Sequence, residues 1–170
     1  MPSPKKRAPR KGAASKRPPT LSEDFVALLG EFENARVEYV IVGGYAVGIH
    51  GRPRATKDLD LWIAGGENLA RVEAALIAFG MPESFASTVR RTKDDEVVWF
   101  GVAPGRVDLL RAIDGVDVGQ LQARAVRARF EKVEAWVIGL DDLIANKRAA
   151  GRPQDLVDVK ALEKIRSAVT

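Results

Sequence analysis

The sequence predicts an α/β (α+β) fold, a small mixed sheet flanked by helices and closed by two C-terminal helices, and three observations carry that prediction. Short apolar runs end at paired glycines, as at Val37 to Val42 before Gly43-Gly44 and Asp58 to Ile63 before Gly65-Gly66. Other stretches place apolar residues at helical spacing, with Phe25, Leu28, Leu29 and Phe32 in one and Leu69, Val72, Ala75, Leu76 and Phe79 in another. The end of the chain divides at Gly151 and Pro153, a helix stop followed by a helix start.

Each element has its own local reason. Thr20 to Glu23 has the form of a capping box, which predicts a first helix over Leu21 to Ala35. A buried strand over Val37 to Val42 should turn at Gly43-Gly44 into a short helix from Tyr45 to His50. Gly51 and Pro53 mark a loop to Thr56, and the alternation in Asp58 to Ile63 predicts a second strand. Gly80 ends the helix that follows. Val97 to Phe100 and Arg106 to Leu110 read as strands joined by a turn from Gly101 to Gly105, Gln120 to Arg127 as a short helix, and Ala135 to Ile138 as a last strand. Leu140 to Ala150 and Pro153 to about Ser167 are the closing helices.

At 170 residues the chain fits one folded domain. Its longest apolar runs fall far short of the roughly 20 residues that span a bilayer, so a cytoplasmic protein without a membrane segment is expected. Cysteine is absent and His50 is the sole histidine, which excludes disulfides, thiolate zinc sites and multi-histidine sites. Any metal must then be held by oxygen, which points to magnesium or manganese. The net charge of +4 resides in residues 1–18, which hold seven of the 27 Lys and Arg and no acid; the remaining body has 20 basic and 23 acidic residues. This basic tail lacks large apolar residues and is expected to be disordered, with residues 19–170 forming the domain. It serves either as a solubilising arm or as an arm that contacts RNA or DNA.

The chemistry concentrates between Val42 and Trp62. A glycine pair between a strand and a helix lets the backbone approach a phosphate, and the helix start offers free N–H donors, although such a pair is also an ordinary turn. Asp58 and Asp60 are two residues apart, so on a strand both carboxylates leave one face, roughly 6.5 to 7 Å apart at the backbone. Asp is disfavoured in strands, and two like charges on one face repel unless a cation lies between them; a solvent-facing pair is the plainer alternative. Asp108, inside the apolar run Arg106 to Leu110, would supply a third carboxylate within reach if its strand lies beside that of Asp58 and Asp60. Two magnesium ions would neutralise such a cluster, one activating an acceptor hydroxyl and one holding a triphosphate, with Asp108 able to take the hydroxyl proton. Taken alone, Asp108 also suits a turn or a salt bridge.

Gly43-Gly44, then Arg54-x-Thr56-x-Asp58-Leu59-Asp60-Leu61, then Val107-Asp108-Leu109-Leu110 resembles the signature of the polymerase-β-like nucleotidyltransferase superfamily. The stretch from Leu140 to Asp158 resembles the bacterial branch that includes the abortive-infection AbiEii-type toxins and their uncharacterised relatives. The resemblance spans roughly residues 36 to 162. It implies a nucleotidyltransferase fold and an enzyme that moves a nucleoside monophosphate from a triphosphate such as ATP to a hydroxyl on RNA, protein or a small molecule. It also implies catalytic and metal roles for Asp58, Asp60 and Asp108, and nucleotide contacts from Gly43, Gly44, Arg54, Thr56 and Lys147. The alternative is a non-catalytic module that binds a nucleotide or a partner protein, as half of a toxin–antitoxin-like pair. The chain departs from larger members in size, having only two closing helices where others carry an acceptor-selecting domain.

Several residues keep two readings. Lys147 falls on the inward face of its helix, where an anion must meet it, either a nucleotide phosphate or Asp155 or Asp158. Arg54 either clamps phosphate or braces its loop. His50 reads as a helix-end residue rather than a catalyst, and Trp62, Trp99 and Trp136 as core or sheet-face residues rather than base-stacking ones.

Overall fold

The computed structural model describes residues 19–130 and 132–170, so the basic tail expected at residues 1–18 lies outside the described residues. The first helix, α1 (Glu23–Asn34), starts later than the sequence pattern suggests: Leu21 is drawn into the core ahead of it, and Ser22, not Thr20, is the cap, accepting from the Phe25 N–H at 3.2 Å. Next come β1 (Tyr39–Val42), α2 (Gly43–Ile49), β2 (Asp58–Ile63) and α3 (Asn68–Phe79). Helix α2 begins at the glycine pair itself, two residues earlier than expected.

A short helix α4 (Glu83–Ala86) running into a 3₁₀ turn at Ser87–Arg90 was not foreseen, and it precedes β3 (Val98–Phe100) and β4 (Arg106–Leu110). The expected helix over Gln120 to Arg127 is a correction. A 3₁₀ turn at Val118–Gln120 and one helical turn, α5 (Leu121–Arg124), give way to strand β5 (Val126–Phe130), which pairs antiparallel with β6 (Val133–Val137). Strand β5 lies at the sheet edge, and its Val126, Ala128 and Phe130 alternate with Arg127 and Arg129, a period-two pattern that the helical reading passed over; of these side chains Phe130 alone is buried. Helices α6 (Leu140–Ala150) and α7 (Pro153–Val169) follow as expected, separated by Gly151.

Among the described residues the six strands form one mixed sheet in the order β3-β4-β2-β1-β6-β5. Strand β1 is antiparallel to β2 and parallel to β6, and β2 is parallel to β4. One face carries Leu59, Leu61, Val107 and Leu109, all buried; Phe100 on that side meets Phe79 of α3 and Phe85 of α4. Alternation along the strands therefore turns Asp58, Asp60, Asp108 and Trp99 to the opposite face. Helices α6 and α7 pack on each other, and α2 meets both β2 and α6, which leaves a cleft between the sheet and the closing helices. No described helix is long and apolar enough to cross a membrane.

Candidate active site

The cleft has a volume of about 630 Å³, and its lining includes Gly43, Gly44, Arg54, Thr56, Asp58, Asp60, Asp108 and Lys147, every residue that the sequence nominated. Register explains how the acids come together. Asp60 on β2 is the direct partner of Asp108 on β4, and on its other side it faces Val42, the residue that leads into the glycine pair. Asp58 is two residues back on the same face of β2. Reading across the sheet, the order is glycine turn, first two acids, third acid.

The glycines are required by that closeness. Gly43 has φ +67, and a Cβ there would collide with the Asp60 carboxylate; a Cβ on Gly44 would lie 2.6 Å from Thr56 Oγ1 and 3.5 Å from an Arg54 guanidinium nitrogen. The turn is thus packed bare against one acid, one hydroxyl and one guanidinium. Thr56 in turn donates to the Asp58 carbonyl at 3.2 Å, tying the loop to the start of β2.

Charge in the cleft is divided unevenly. Burial, followed by the charges of Asp108 and Asp58, pushes the Asp60 carboxyl up to about 6, and Lys147 and Arg152 only partly offset it. On the helical side the acids are compensated. Lys147, itself buried, donates to Asp155 at 2.8 Å and lies 3.9 Å from Asp158. Arg152 donates to the other oxygen of Asp155 at 2.9 Å, and fully buried Asp158 accepts from Arg52 at 3.0 Å, Arg54 at 3.2 Å and Gln154 at 3.1 Å. Burial acts to raise Asp155, but the Lys147 and Arg152 contacts outweigh it and hold this carboxyl below its ordinary value.

The residues with two readings are placed as follows. The anion that meets Lys147 in the helical packing is a carboxylate, and Arg54 braces its loop against Asp158 and the Ala55 carbonyl while its side chain still borders the cleft. His50 caps the end of α2, its Nε2 donating to the Ile138 carbonyl at 2.7 Å. Trp62 is core, with Nε1 donating to the Arg111 carbonyl, whereas Trp99 and Trp136 sit on sheet faces under Arg106 and Arg127. Three cations at the site were not nominated from the sequence: Lys57 and Arg152 line the cleft, and Arg106 pairs with Asp108. Arg152 depends on how α7 packs, which no local pattern encodes. Arg106 was legible in principle, since residues two apart on a strand share a face with Asp108.

The donor chemistry is that of a hard divalent cation site, with three carboxylates on one sheet face, no sulfur or imidazole among them, and Asp60 raised first by burial and then by its acidic neighbours. The described residues contain no group of three such side chains gathered to hold a metal ion. Arg106 occupies both oxygens of Asp108, through Nε at 2.6 Å and a terminal nitrogen at 3.3 Å.

No family model and no curated protein matches the sequence. Among solved structures, the chain is similar to the lincosamide antibiotic adenylyltransferase LnuA in its lincomycin-bound form, with a TM-score of 0.55 at 16% identity over 86% of this chain and 98% of that one. It is also similar to ANT(2″)-Ia in complex with adenylyl-2″-tobramycin, with a TM-score of 0.53 at 16% identity over 85% and 93% of the two chains. The fold is that of the nucleotidyltransferases, as the signature residues implied, with the two closing helices in place. At this identity the likeness defines the fold; the chemistry rests on the site.

Proposed function

We propose that the chain is a nucleotidyltransferase that moves a nucleoside monophosphate from a triphosphate to a hydroxyl on a small molecule and releases pyrophosphate. The observation that carries this reading is the register of β1, β2 and β4, which sets Asp60 between the glycine turn and Asp108 at the mouth of one cleft. A cleft of about 630 Å³ matches the size of small-molecule sites. The two similar structures bear the names of an adenylyltransferase with a bound antibiotic and an enzyme with an adenylylated one, which supports both the transfer and the acceptor class. The body's excess of acids over bases speaks against RNA as the acceptor unless residues 1–18 supply the attraction.

In this reading the Gly43-Gly44 backbone approaches the triphosphate, and Arg54, Thr56 and Lys147 border it, with Arg152 as a further cation. Magnesium or manganese would be held by Asp58, Asp60 and Asp108, where it supplies charge neutralisation and polarisation of the reacting groups. The acceptor hydroxyl oxygen forms a bond to the α-phosphorus as the bond to the β-phosphate oxygen breaks. Asp108 takes the hydroxyl proton and pyrophosphate carries away the electron pair.

A second reading, a nucleotide- or partner-binding module of a toxin–antitoxin-like pair, draws on the pairing of Asp108 with Arg106, which resembles a structural acid. The test uses α-labelled nucleoside triphosphates with magnesium and, as acceptors, an aminoglycoside and lincosamide panel, total RNA and total protein. Label moving to a small molecule, and not in Asp60→Asn, is the expected result. Nucleotide binding with no transfer to any acceptor would favour the module instead.

A further inference from the structure

Of the three acids on the sheet, Asp108 is the one already engaged. Arg106 precedes it by two residues on β4 and so shares its face, and the guanidinium forks across both carboxylate oxygens. Strand register also sets Arg106 opposite Asp58, so this cation is lodged at the rim of the acid face. Behind it lies Trp99, the register partner of Asp108 on edge strand β3, with the guanidinium carbon 4.6 Å from the centroid of its ring. Trp99 is 54% exposed, an indole left in water where Val98 and Phe100 turn inward. Its contact with Arg106 gives that exposure a purpose: the ring is a bed on which the guanidinium rests in reach of Asp108.

We propose that Arg106 is a positioning residue that acts as an internal counter-ion for Asp108, and that a divalent ion engages all three carboxylates only when the guanidinium withdraws along Trp99. The inference rests on the metal-binding reading of the site. Its physical basis is exclusion. A hard cation needs carboxylate oxygens at roughly 2.0 to 2.1 Å, and oxygens already committed to a bidentate arginine are not free to take that position. Two cations on one carboxylate also repel. Apparent metal affinity is then reduced by the fraction of molecules in which Asp108 is free, so Arg106 sets the metal concentration at which the site closes. The competing role, in which Arg106 holds Asp108 in its ligating orientation, predicts the opposite response to its removal.

Manganese binding to the full chain, followed by the paramagnetic resonance signal of the free ion, separates the two. Arg106→Gln should bind manganese about tenfold more tightly than the unaltered protein, as expected if Asp108 is free in about one molecule in ten. The gain should vanish when Asp108→Asn is added. Trp99→Ala keeps the positive charge but removes its bed, and should tighten binding about two- to threefold. Equal or weaker binding in Arg106→Gln, or a gain that persists beside Asp108→Asn, would overturn the inference. If the unaltered protein binds manganese, Asp60→Asn abolishes that binding and Arg106→Gln changes nothing, the metal site stands and the counter-ion role falls. If no variant binds manganese, the metal site itself is wrong and takes this inference with it.

Discussion

Asp60 on the sheet and Asp155 on α7 line the same cleft, and their surroundings push them in opposite directions. Asp155 and its neighbour Asp158 are met by Lys147, Arg52, Arg54 and Arg152, so burial is compensated and the Asp155 proton is lost more readily than usual. Asp60 is buried as well, with acids beside it and cations only at a distance, and its carboxyl is pushed up to about 6 by that burial and then by Asp108 and Asp58. The difference teaches how to sort buried acids. A carboxylate whose positive partner is built into the chain holds structure together, whereas one whose partner is missing from the chain is kept at a cost to stability and is a candidate for binding something that arrives from outside.

Four measurements would break or sharpen that contrast. Asp60→Asn should lower nucleotidyl transfer by about 10³-fold, close to 4 kcal/mol on the barrier, while urea denaturation shows an intact fold. Transfer within threefold of the unaltered rate would remove Asp60 from the machinery. On the compensated side, Asp158→Ala removes the fully buried acid that Arg52 and Arg54 share, leaves Lys147 with Asp155 alone, and should cost about 3 kcal/mol of stability in urea titrations; Arg52 and Arg54 are half-buried and can turn to water, which keeps the loss at the low end for a broken buried pair. A loss under about 1 kcal/mol would show that the cluster is not what secures α7.

Acid titration of stability in metal-free protein separates the two acids by sign. The Asp60 carboxyl is raised from 3.8 to about 6, so the folded state retains a proton that the unfolded state releases, and its contribution to stability grows as pH falls from 6 to 3.8. At about 1.4 kcal/mol per unit, Asp60→Asn should gain about 3 kcal/mol at pH 8 and show no such rise on acidification. Asp155 is depressed, so its contribution is fully present above 3.8 and disappears as pH falls below it; Asp155→Asn should flatten that lower limb. The smallest effect belongs to Gly44→Ala. Its methyl group would press on Thr56 and weaken nucleotide binding about fivefold, near 1 kcal/mol, as read by calorimetry; an unchanged affinity would argue against close approach of phosphate to that turn.

The residues of the candidate site were legible where each sits in a locally readable pattern. The alternation of Asp58 to Ile63 put two carboxylates on one face, and the glycine pair after β1 marked the turn that packs against them. The edge hairpin was missed although Val126, Ala128 and Phe130 alternate with two arginines: the run is short, only Phe130 of it is buried, and pairing with β6 completes the strand. The capping residue was displaced from Thr20 to Ser22 because the core claimed Leu21.

By itself, then, the order of residues determined which side chains share a strand face, where helices stop and that any metal ligand must be oxygen, because these follow from short-range periodicity and from which residue types are present. Tertiary structure alone decided that Asp60 faces Asp108 across a parallel pair, and that Lys147 finds Asp155 and Asp158 as its partners. It also placed Arg106 on Asp108 above an exposed tryptophan. Those outcomes depend on strand order and on how α7 folds back beside α6, and they join positions whose proximity no local pattern specifies.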